Sequence, residues 1–358
     1  MMGDKVLMKG TEAIGEAAIR ADCQCFFGYP ITPQTEVAAY MAKKMPELGR
    51  VFVQAESEVA AINMVYGAAG TGVRCMTSSS SPGISLKAEG ISYIAGAELP
   101  CLIVNIVRGG PGLGSIQPAQ SDYFQATKGG GHGDYNMPVF APSSIQEMVD
   151  LIQEAFDVAD AYRTPCMLMG DGMLGQMMEP VEFHETARRE LPKKDWAADG
   201  LRGRAHHNVI NSLYLNPEEL EQHNLHLQEK YQQIKKNEAR YEIYNCEGEV
   251  DIILAAYGTT SRVCKNVIKM AAEEGIRVGL VRPITLWPFP NEAFEKTVEH
   301  TKYGYLAVEM SAGQMIEDVR LVVNGRKPVG FHGRMGGMVP NPEDILAKVR
   351  ELALEGVK

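Results

Sequence analysis

The run Phe26-Phe27-Gly28-Tyr29-Pro30-Ile31-Thr32-Pro33-Gln34-Thr35-Glu36 constrains the fold more than any other stretch of the 358 residues. A short aromatic, β-prone segment ends in two prolines that bracket a hydroxyl residue. Proline fixes its own φ and biases the residue before it toward extended conformations, so Tyr29 and Ile31 are held out of the helical basin and Thr32 is presented at a turn. Thr35-Glu36 then opens an amphipathic helix with Val37, Tyr40 and Met41 as its apolar stripe. A strand carboxyl end feeding a helix amino end is where open α/β sheets bind ligands. Taken alone, the same string also suits a rigid strand-to-helix connection.

From Lys9 to about Glu179 short apolar runs alternate with helical stretches rich in small residues. Val51-Phe52-Val53, Arg74-Cys75-Met76-Thr77, the run Leu102 to Val107, Met137-Pro138-Val139-Phe140 and Cys166-Met167-Leu168-Met169 read as buried strands. Glu58 to Ala69, Ile84 to Ala97 and Ser144 to Ala161 read as helices, the last capped by Pro142-Ser143-Ser144. Such alternation predicts a parallel sheet covered on both faces. Between about Phe183 and Glu249 the sequence turns charged and rich in Gln and Asn. There a polar helix starts at Asn216-Pro217, with Asn as cap and Pro at the first helical position, and continues to about Tyr241. It suits a strap across the surface or toward a partner, or a simply solvated helix. A second α/β unit begins at Val250, with a helix from Ser261 to Glu274 and strands at Val278–Val281 and Gly304–Glu309. The expected organisation is a doubly wound domain over residues 1–182, a polar helical linker over 183–249 and a second α/β domain over 250–358.

With 45 acidic against 35 basic residues the chain is net acidic, and no Lys/Arg cluster suited to nucleic acid or to a membrane surface occurs. The amino terminus, Met1-Met2-Gly3-Asp4, carries neither a long apolar core nor a cleavage-site signature, and a cytoplasmic protein is expected. Seven cysteines sit at irregular intervals with no Cys-x-x-Cys. They read as buried free thiols in a reducing compartment, so any iron–sulfur cluster belongs to another chain.

Five segments together resemble the alpha subunit of the 2-oxoacid:ferredoxin oxidoreductases, most closely the 3-methyl-2-oxobutanoate (2-oxoisovalerate) type. They are Tyr29-Pro30-Ile31-Thr32-Pro33, Glu56-Ser57-Glu58-Val59-Ala60-Ala61, Val107-Arg108-Gly109-Gly110-Pro111-Gly112, Ser143-Ser144-Ile145-Gln146-Glu147 and Val308-Glu309-Met310-Ser311-Ala312-Gly313-Gln314. They follow the family's order across nearly the whole chain, and the linker matches least. The resemblance implies a pyrimidine-binding thiamine-diphosphate domain followed by a transketolase-C-terminal-like domain. A beta subunit would supply the diphosphate- and Mg²⁺-binding half of the cofactor site. Gamma and ferredoxin-like delta subunits would complete the complex, with iron–sulfur clusters on partners only, coenzyme A as co-substrate and ferredoxin as acceptor.

Glu58 is the first candidate for chemistry. A Glu in a helix's first turn is favoured by the macrodipole and by capping alone. Thiamine chemistry asks for more, a carboxylate on the ring nitrogen of the aminopyrimidine, and by position the family's glutamate falls on Glu58 and not Glu56. Arg108 ends an apolar strand and enters the loop Gly109-Gly110-Pro111-Gly112-Leu113-Gly114. An Arg there is ordinarily a surface residue, but it coincides with the family's substrate-carboxylate position, to which the Thr32 hydroxyl adds a donor. The glycines at 109–114 and 129–133 lack the context of a nucleotide loop and read as flexible pocket walls, with His132 and Asp134 given no role. Gly170-Asp171-Gly172 lacks the downstream Asn pair of a diphosphate-metal motif and reads as a tight turn.

The expected activity is oxidative decarboxylation of a branched-chain 2-oxoacid, 3-methyl-2-oxobutanoate first, to its acyl-CoA and CO₂. No second Lys or Arg follows Arg108 until Lys128, which disfavours a distal substrate carboxylate. The alternatives are a 2-oxoglutarate- or pyruvate-specific member, a dehydrogenase passing its acyl group to lipoamide, and a non-catalytic orphan subunit.

Overall fold

The computed structural model describes residues 5–184 and 189–355, so Met1-Met2-Gly3-Asp4 and the carboxyl-terminal three residues lie outside the described residues. The strands are β1 (Val6–Lys9), β2 (Cys25–Gly28), β3 (Val51–Gln54), β4 (Cys75–Ser79), β5 (Cys101–Val107), β6 (Val139–Phe140) and β7 (Pro165–Asp171), then β8 (Met178–Val181), β9 (Tyr241–Tyr244), β10 (Ile252–Ala255), β11 (Val278–Pro283), β12 (Thr285–Trp287), β13 (Tyr305–Glu309) and β14 (Val329–Gly333). The helices are α1 (Gly10–Arg20), α2 (Thr35–Glu47), α3 (Glu58–Gly70), α4 (Pro82–Gly96), α5 (Ile145–Tyr162), α6 (Gly172–Gln176), α7 (Pro217–Asn237), α8 (Gly258–Glu273), α9 (Asn291–Thr297), α10 (Met315–Val323) and α11 (Pro342–Glu355). None of the described helices is long and apolar enough to cross a membrane.

Two large sheets result. The first runs β12-β6-β7-β5-β4-β2-β3, and the second β14-β13-β10-β11-β9. Strands β2 to β7 are mutually parallel, with only β12 antiparallel at the edge. β5 shows why the apolar runs are continuous: Leu102, Val104 and Ile106 face a core shared with α1, α2 and α5, while Cys101, Ile103 and Val107 face α3 and α4. Ser57 Oγ caps α3 by accepting from Ala60 N at 3.1 Å, and Ser144 Oγ caps α5 by accepting from Glu147 N at 3.1 Å.

The structure differs from the sequence expectation at several elements. α7 stops at Asn237, and Tyr241–Tyr244 forms the antiparallel edge strand β9 beside β11. The run Pro283 to Pro290 contains β12, which crosses back to pair with β6 of the first sheet through Thr285↔Phe140 and Trp287↔Val139. The 137–140 strand shortens to Val139–Phe140. Helix α7 is seated as well as solvated: Leu227, Tyr231 and Ile234 are buried in a core common to both sheets, with Tyr231 edge-on to Trp287 at 5.8 Å.

Gln120 fastens the two halves together. Its Nε2 donates to the Tyr257 carbonyl at 2.9 Å, its Oε1 accepts from Thr260 Oγ1 at 2.5 Å and Met310 N at 2.9 Å, and its own N–H donates to the Met310 carbonyl at 2.9 Å.

Candidate active site

Chain order reverses in the first sheet between β2 and β4: β2 connects outward to β3, and the chain then returns to the opposite side of β2. Such a switch point leaves a crevice at the strand carboxyl ends. Four loops meet along that edge, carrying Thr32 after β2, Glu58 after β3, Ser79 to Gly83 after β4 and Arg108 after β5. The crevice is stitched by Ser78 Oγ, which donates to Gln34 Oε1 at 2.6 Å, both residues fully buried.

Glu58 opens α3 and is 6% exposed. Its position in the first turn suits a negative charge. Among the described residues its carboxylate accepts no hydrogen bond. Buried carboxylates are ordinarily saturated with donors, so an unmet one is poised for a donor from outside. Gly83 lets the carboxylate pack directly against α4: a Cβ there would lie 2.0 Å from Ser79 Oγ and 2.7 Å from Glu58 Oε1. Ser79 Oγ and Ser80 Oγ are buried without a partner in the same loop.

Arg108 is 7% exposed. Its Nη1 donates to the Thr32 carbonyl at 2.9 Å and its Nη2 to the Leu113 carbonyl at 3.0 Å, while Nε is buried with no partner. The structure therefore brings Thr32 and Arg108 together, but through the Thr32 backbone; the Thr32 side chain stands exposed. Ser81 holds the arginine's backbone, accepting from Arg108 N at 3.0 Å. Behind it, Asn105 Oδ1 accepts from Ser81 N at 3.1 Å and Asn105 Nδ2 donates to Asp122 Oδ2 at 2.9 Å. Burial pushes the Asp122 carboxyl up, and its hydrogen bonds to Ser81 and Asn105 pull the other way. The Ser79–Gly83 segment thus meets Glu58 at Gly83 and the Arg108 backbone at Ser81.

A cleft of about 670 Å³ opens beside Thr32, walled by Pro33, Ile116, Met173, Met177 and Val339. Neither Glu58 nor Arg108 lines it. His132 belongs to a different hollow of about 490 Å³ between α4 and α7. Gly170-Asp171-Gly172 is not the tight turn expected but the end of β7 and the start of α6: Asp171 caps the helix, its Oδ1 accepting from Met173 N at 2.9 Å and Leu174 N at 3.2 Å. All seven cysteines are free and six are buried; burial alone pushes the Cys101 thiol up to about 12. Sequence reasoning passed over the Ser78-Ser79-Ser80-Ser81-Pro82-Gly83 run. Its signal was available: a hydroxyl-rich stretch straight after a buried strand, closed by Pro-Gly.

Residues 16–243 match the family described as pyruvate flavodoxin/ferredoxin oxidoreductase, thiamine diphosphate-binding, and residues 250–345 match pyruvate:ferredoxin oxidoreductase core domain II. The chain belongs to the 2-oxoacid:ferredoxin oxidoreductase family. It is 50% identical to the ketoisovalerate oxidoreductase subunit VorB of Methanothermobacter marburgensis over 98% of each chain. A solved 2-oxoglutarate:ferredoxin oxidoreductase from Magnetococcus marinus, with 2-oxoglutarate, coenzyme A and succinyl-CoA bound, superposes at a TM-score of 0.87 with 27% identity. That match covers 98% of this chain, which spans 66% of the solved chain's length. A split-gene transketolase shares the fold at a TM-score of 0.61 and 16% identity, covering 97% of this chain and 98% of its own. The α/β fold is thus that of thiamine-diphosphate oxidoreductase subunits.

Two segments of the oxidoreductase resemblance prove to be architectural. The Glu309 carboxylate is fully buried and accepts from Ser311 Oγ at 2.8 Å, Gln314 N and Met315 N at 3.0 Å, and Ile316 N at 2.9 Å, which neutralises the amino end of α10. Ser143 and Glu147 open α5 and receive Arg282 from the second sheet.

Proposed function

We propose that this chain is the alpha-type subunit of a coenzyme A-dependent 2-oxoacid:ferredoxin oxidoreductase that decarboxylates branched-chain 2-oxoacids, 3-methyl-2-oxobutanoate first. The observation that carries the reading is Arg108, a buried guanidinium at the switch-point edge with two carbonyl acceptors, an idle Nε and no carboxylate partner among the described residues. A buried cation left so is costly until an anion of matching shape arrives, and a 2-oxoacid head group matches its planar fork.

Thiamine diphosphate, when bound, supplies the carbanion chemistry that releases CO₂. The residues present suit its aminopyrimidine: the Glu58 carboxylate, packed close against Gly83, accepts no hydrogen bond among the described residues. In this reading Glu58 holds the proton at the ring nitrogen. The Ser79–Gly83 loop keeps the carboxylate and Arg108 in register, and the Thr32 hydroxyl adds a donor at the cleft. The diphosphate and its Mg²⁺ belong on a beta subunit, gamma and ferredoxin-like delta subunits complete the complex, and the iron–sulfur clusters that pass electrons to ferredoxin lie on partner subunits. The assembly is expected in the cytoplasm.

Substrate preference rests on charge. Lys128, the next cation after Arg108 along the chain, is taken by Asp318 of α10, and the cleft beside Thr32 mixes apolar walls with Glu36, Gln117 and Gln176 and carries no Lys or Arg. That favours a branched aliphatic tail over a second carboxylate. The runner-up substrate is 2-oxoglutarate, on which the Magnetococcus relative is named to act. Comparing kcat/KM for 3-methyl-2-oxobutanoate, pyruvate, 2-oxoglutarate and an aryl pyruvate in the assembled complex tests the assignment. Preference for 2-oxoglutarate would overturn the substrate. Turnover that requires lipoyl protein, or an assembled complex that takes up no thiamine diphosphate, would overturn the reaction.

A further inference from the structure

Arg108 leaves β5 into a loop that folds back on itself. Gly109 N donates to the Gln117 carbonyl at 2.9 Å, Ser115 N to the Gly109 carbonyl at 2.7 Å and Gln117 N to Ser115 Oγ at 3.1 Å, while Arg108 and Pro118 form an antiparallel bridge. The Leu113 carbonyl that accepts from Arg108 Nη2 lies at the tip of this fold-back, so the guanidinium keeps its direction only while the loop stays closed. Little in the loop itself closes it. Its glycines at 109, 110, 112 and 114 lose much backbone freedom on ordering, and Leu113 and Ile116, 85% and 57% exposed, pack nothing down.

The closing contact comes from the far end of the chain. Between β14 and α11 a tight turn is closed by Met338 N, which donates to the Met335 carbonyl at 3.3 Å, with Gly336 and Gly337 at its centre at φ +68° and +106°. Positive φ at both central positions is what glycine supplies. This turn lies backbone to backbone on the Arg108 loop. A Cβ on Gly109 would lie 2.8 Å from the Gly336 carbonyl carbon and 3.0 Å from Gly337 N, and one on Gly337 would lie 2.4 Å from Gln117 Cβ. Gly337 therefore bears on the very residue whose carbonyl holds Gly109. From there Gly337 and Val339 reach the cleft beside Thr32. Adhesion of the two halves does not require this fit, since Gln120 already fastens them.

We propose that the Gly336-Gly337 turn is the positioning element of Arg108: it holds the Gly109–Gln117 loop closed and, through the Leu113 carbonyl, aims the guanidinium at the 2-oxoacid carboxylate. The inference rests on the reading of Arg108 as the carboxylate anchor given above. Neither glycine acts on the carboxylate itself; both act through Arg108. The second α/β unit thereby becomes a working part of the substrate site.

The test is steady-state kinetics on the complex assembled with its partner subunits. Gly337→Ala sets a methyl against Gln117 and forces a residue with a side chain to φ +106°. The KM for 3-methyl-2-oxobutanoate rises about tenfold, with kcat within about threefold of the wild type and thiamine diphosphate affinity unchanged. Because the carboxylate is common to all 2-oxoacids, the KM for pyruvate rises by the same factor; a turn that only shaped the cleft around the substrate tail would move the two unequally. Added to Arg108→Lys, Gly337→Ala raises KM by less than about twofold more, because the fork that it served is gone. Gly275→Ala, at φ +78° in the same unit with nothing near its Cβ, carries the backbone strain without the contact and keeps the wild-type KM. An unchanged KM in Gly337→Ala, unequal rises for the two substrates, an equal loss on top of Arg108→Lys, or an equal rise in Gly275→Ala would each overturn the proposal. Should Gly337→Ala fail to assemble, Gly109→Ala decides by the same pattern, since its methyl meets the Gly336 carbonyl at the same contact. An unaltered KM in Arg108→Lys alone would instead refute the reading of Arg108, which keeps the two failures separate.

Discussion

Arg282 of β11 grips Glu147 of α5 with both arms, Nη1 to Oε2 and Nη2 to Oε1 at 2.8 Å each, across the seam between the two sheets. The same guanidinium donates to Glu242 of β9 at 2.7 Å and to Ser143 Oγ at 3.1 Å. One side chain thus ties the first sheet's longest covering helix to two strands of the second sheet.

Glu147→Ala should lower stability by on the order of 3 kcal/mol, since it strips the main anion from a guanidinium that is 5% exposed. Burial pushes the Glu147 carboxyl up, but Arg282 and the Ser143 N–H outweigh it and hold the group below the usual carboxylate range. A depressed folded value contributes stability above the unfolded value of about 4.3 and loses it as pH falls through the folded value. Thermal unfolding of wild type and Glu147→Gln should therefore differ at neutral pH and converge in acid.

Glu58→Gln should leave the melting temperature unchanged and slow C2 hydrogen exchange of bound thiamine diphosphate by at least about a hundredfold, because an amide cannot share a proton with the ring nitrogen. Exchange followed by proton NMR on the assembled complex is the direct readout. An undiminished rate would remove Glu58 from the mechanism.

Gly83→Ala separates function from folding. The new methyl meets Ser79 Oγ and Glu58 Oε1, which are the movable ends of two side chains, so the fold yields at a cost near about 1 kcal/mol. The carboxylate must leave its place, and thiamine diphosphate affinity should drop well beyond what the stability change explains.

Arg108→Lys keeps the positive charge and loses the fork. The KM for the 2-oxoacid should rise by about tenfold to a hundredfold, while thiamine diphosphate affinity holds. Parallel loss of both would point to collapse of the Gly109–Gly114 loop.

The parallel sheet was legible because strands buried on both faces leave continuous apolar runs, as at β5, and because Ser57 and Ser144 announce the helices they cap. Glu58, Thr32 and Arg108 were visible as residues at strand ends, and their meeting along one edge follows from strand order. Their contacts were not. That Arg108 would hold the Thr32 carbonyl depends on how the Gly109–Gly114 loop folds back, which no local pattern encodes. Nothing in the local pattern of the Ile84 to Ala97 stretch marks Lys87 as buried, since burial of a charged group is decided by the helix it packs against. β9 and β12 escaped for the same reason: a three- or four-residue strand is defined by its partner, and β12's partner, β6, lies far upstream.

That pairing orders the events of synthesis. Every parallel strand of the first sheet has left the ribosome by Asp171, yet the edge at Val139–Phe140 stays open until Thr285–Trp287 emerges. An open edge is where nascent chains pair with one another. Here it is only two residues long, which limits what a neighbouring chain on the same message can add to it. A chain halted before Thr285 would carry the loops of the candidate site intact and still be unfinished, because the last strand of its first sheet is encoded in its second half.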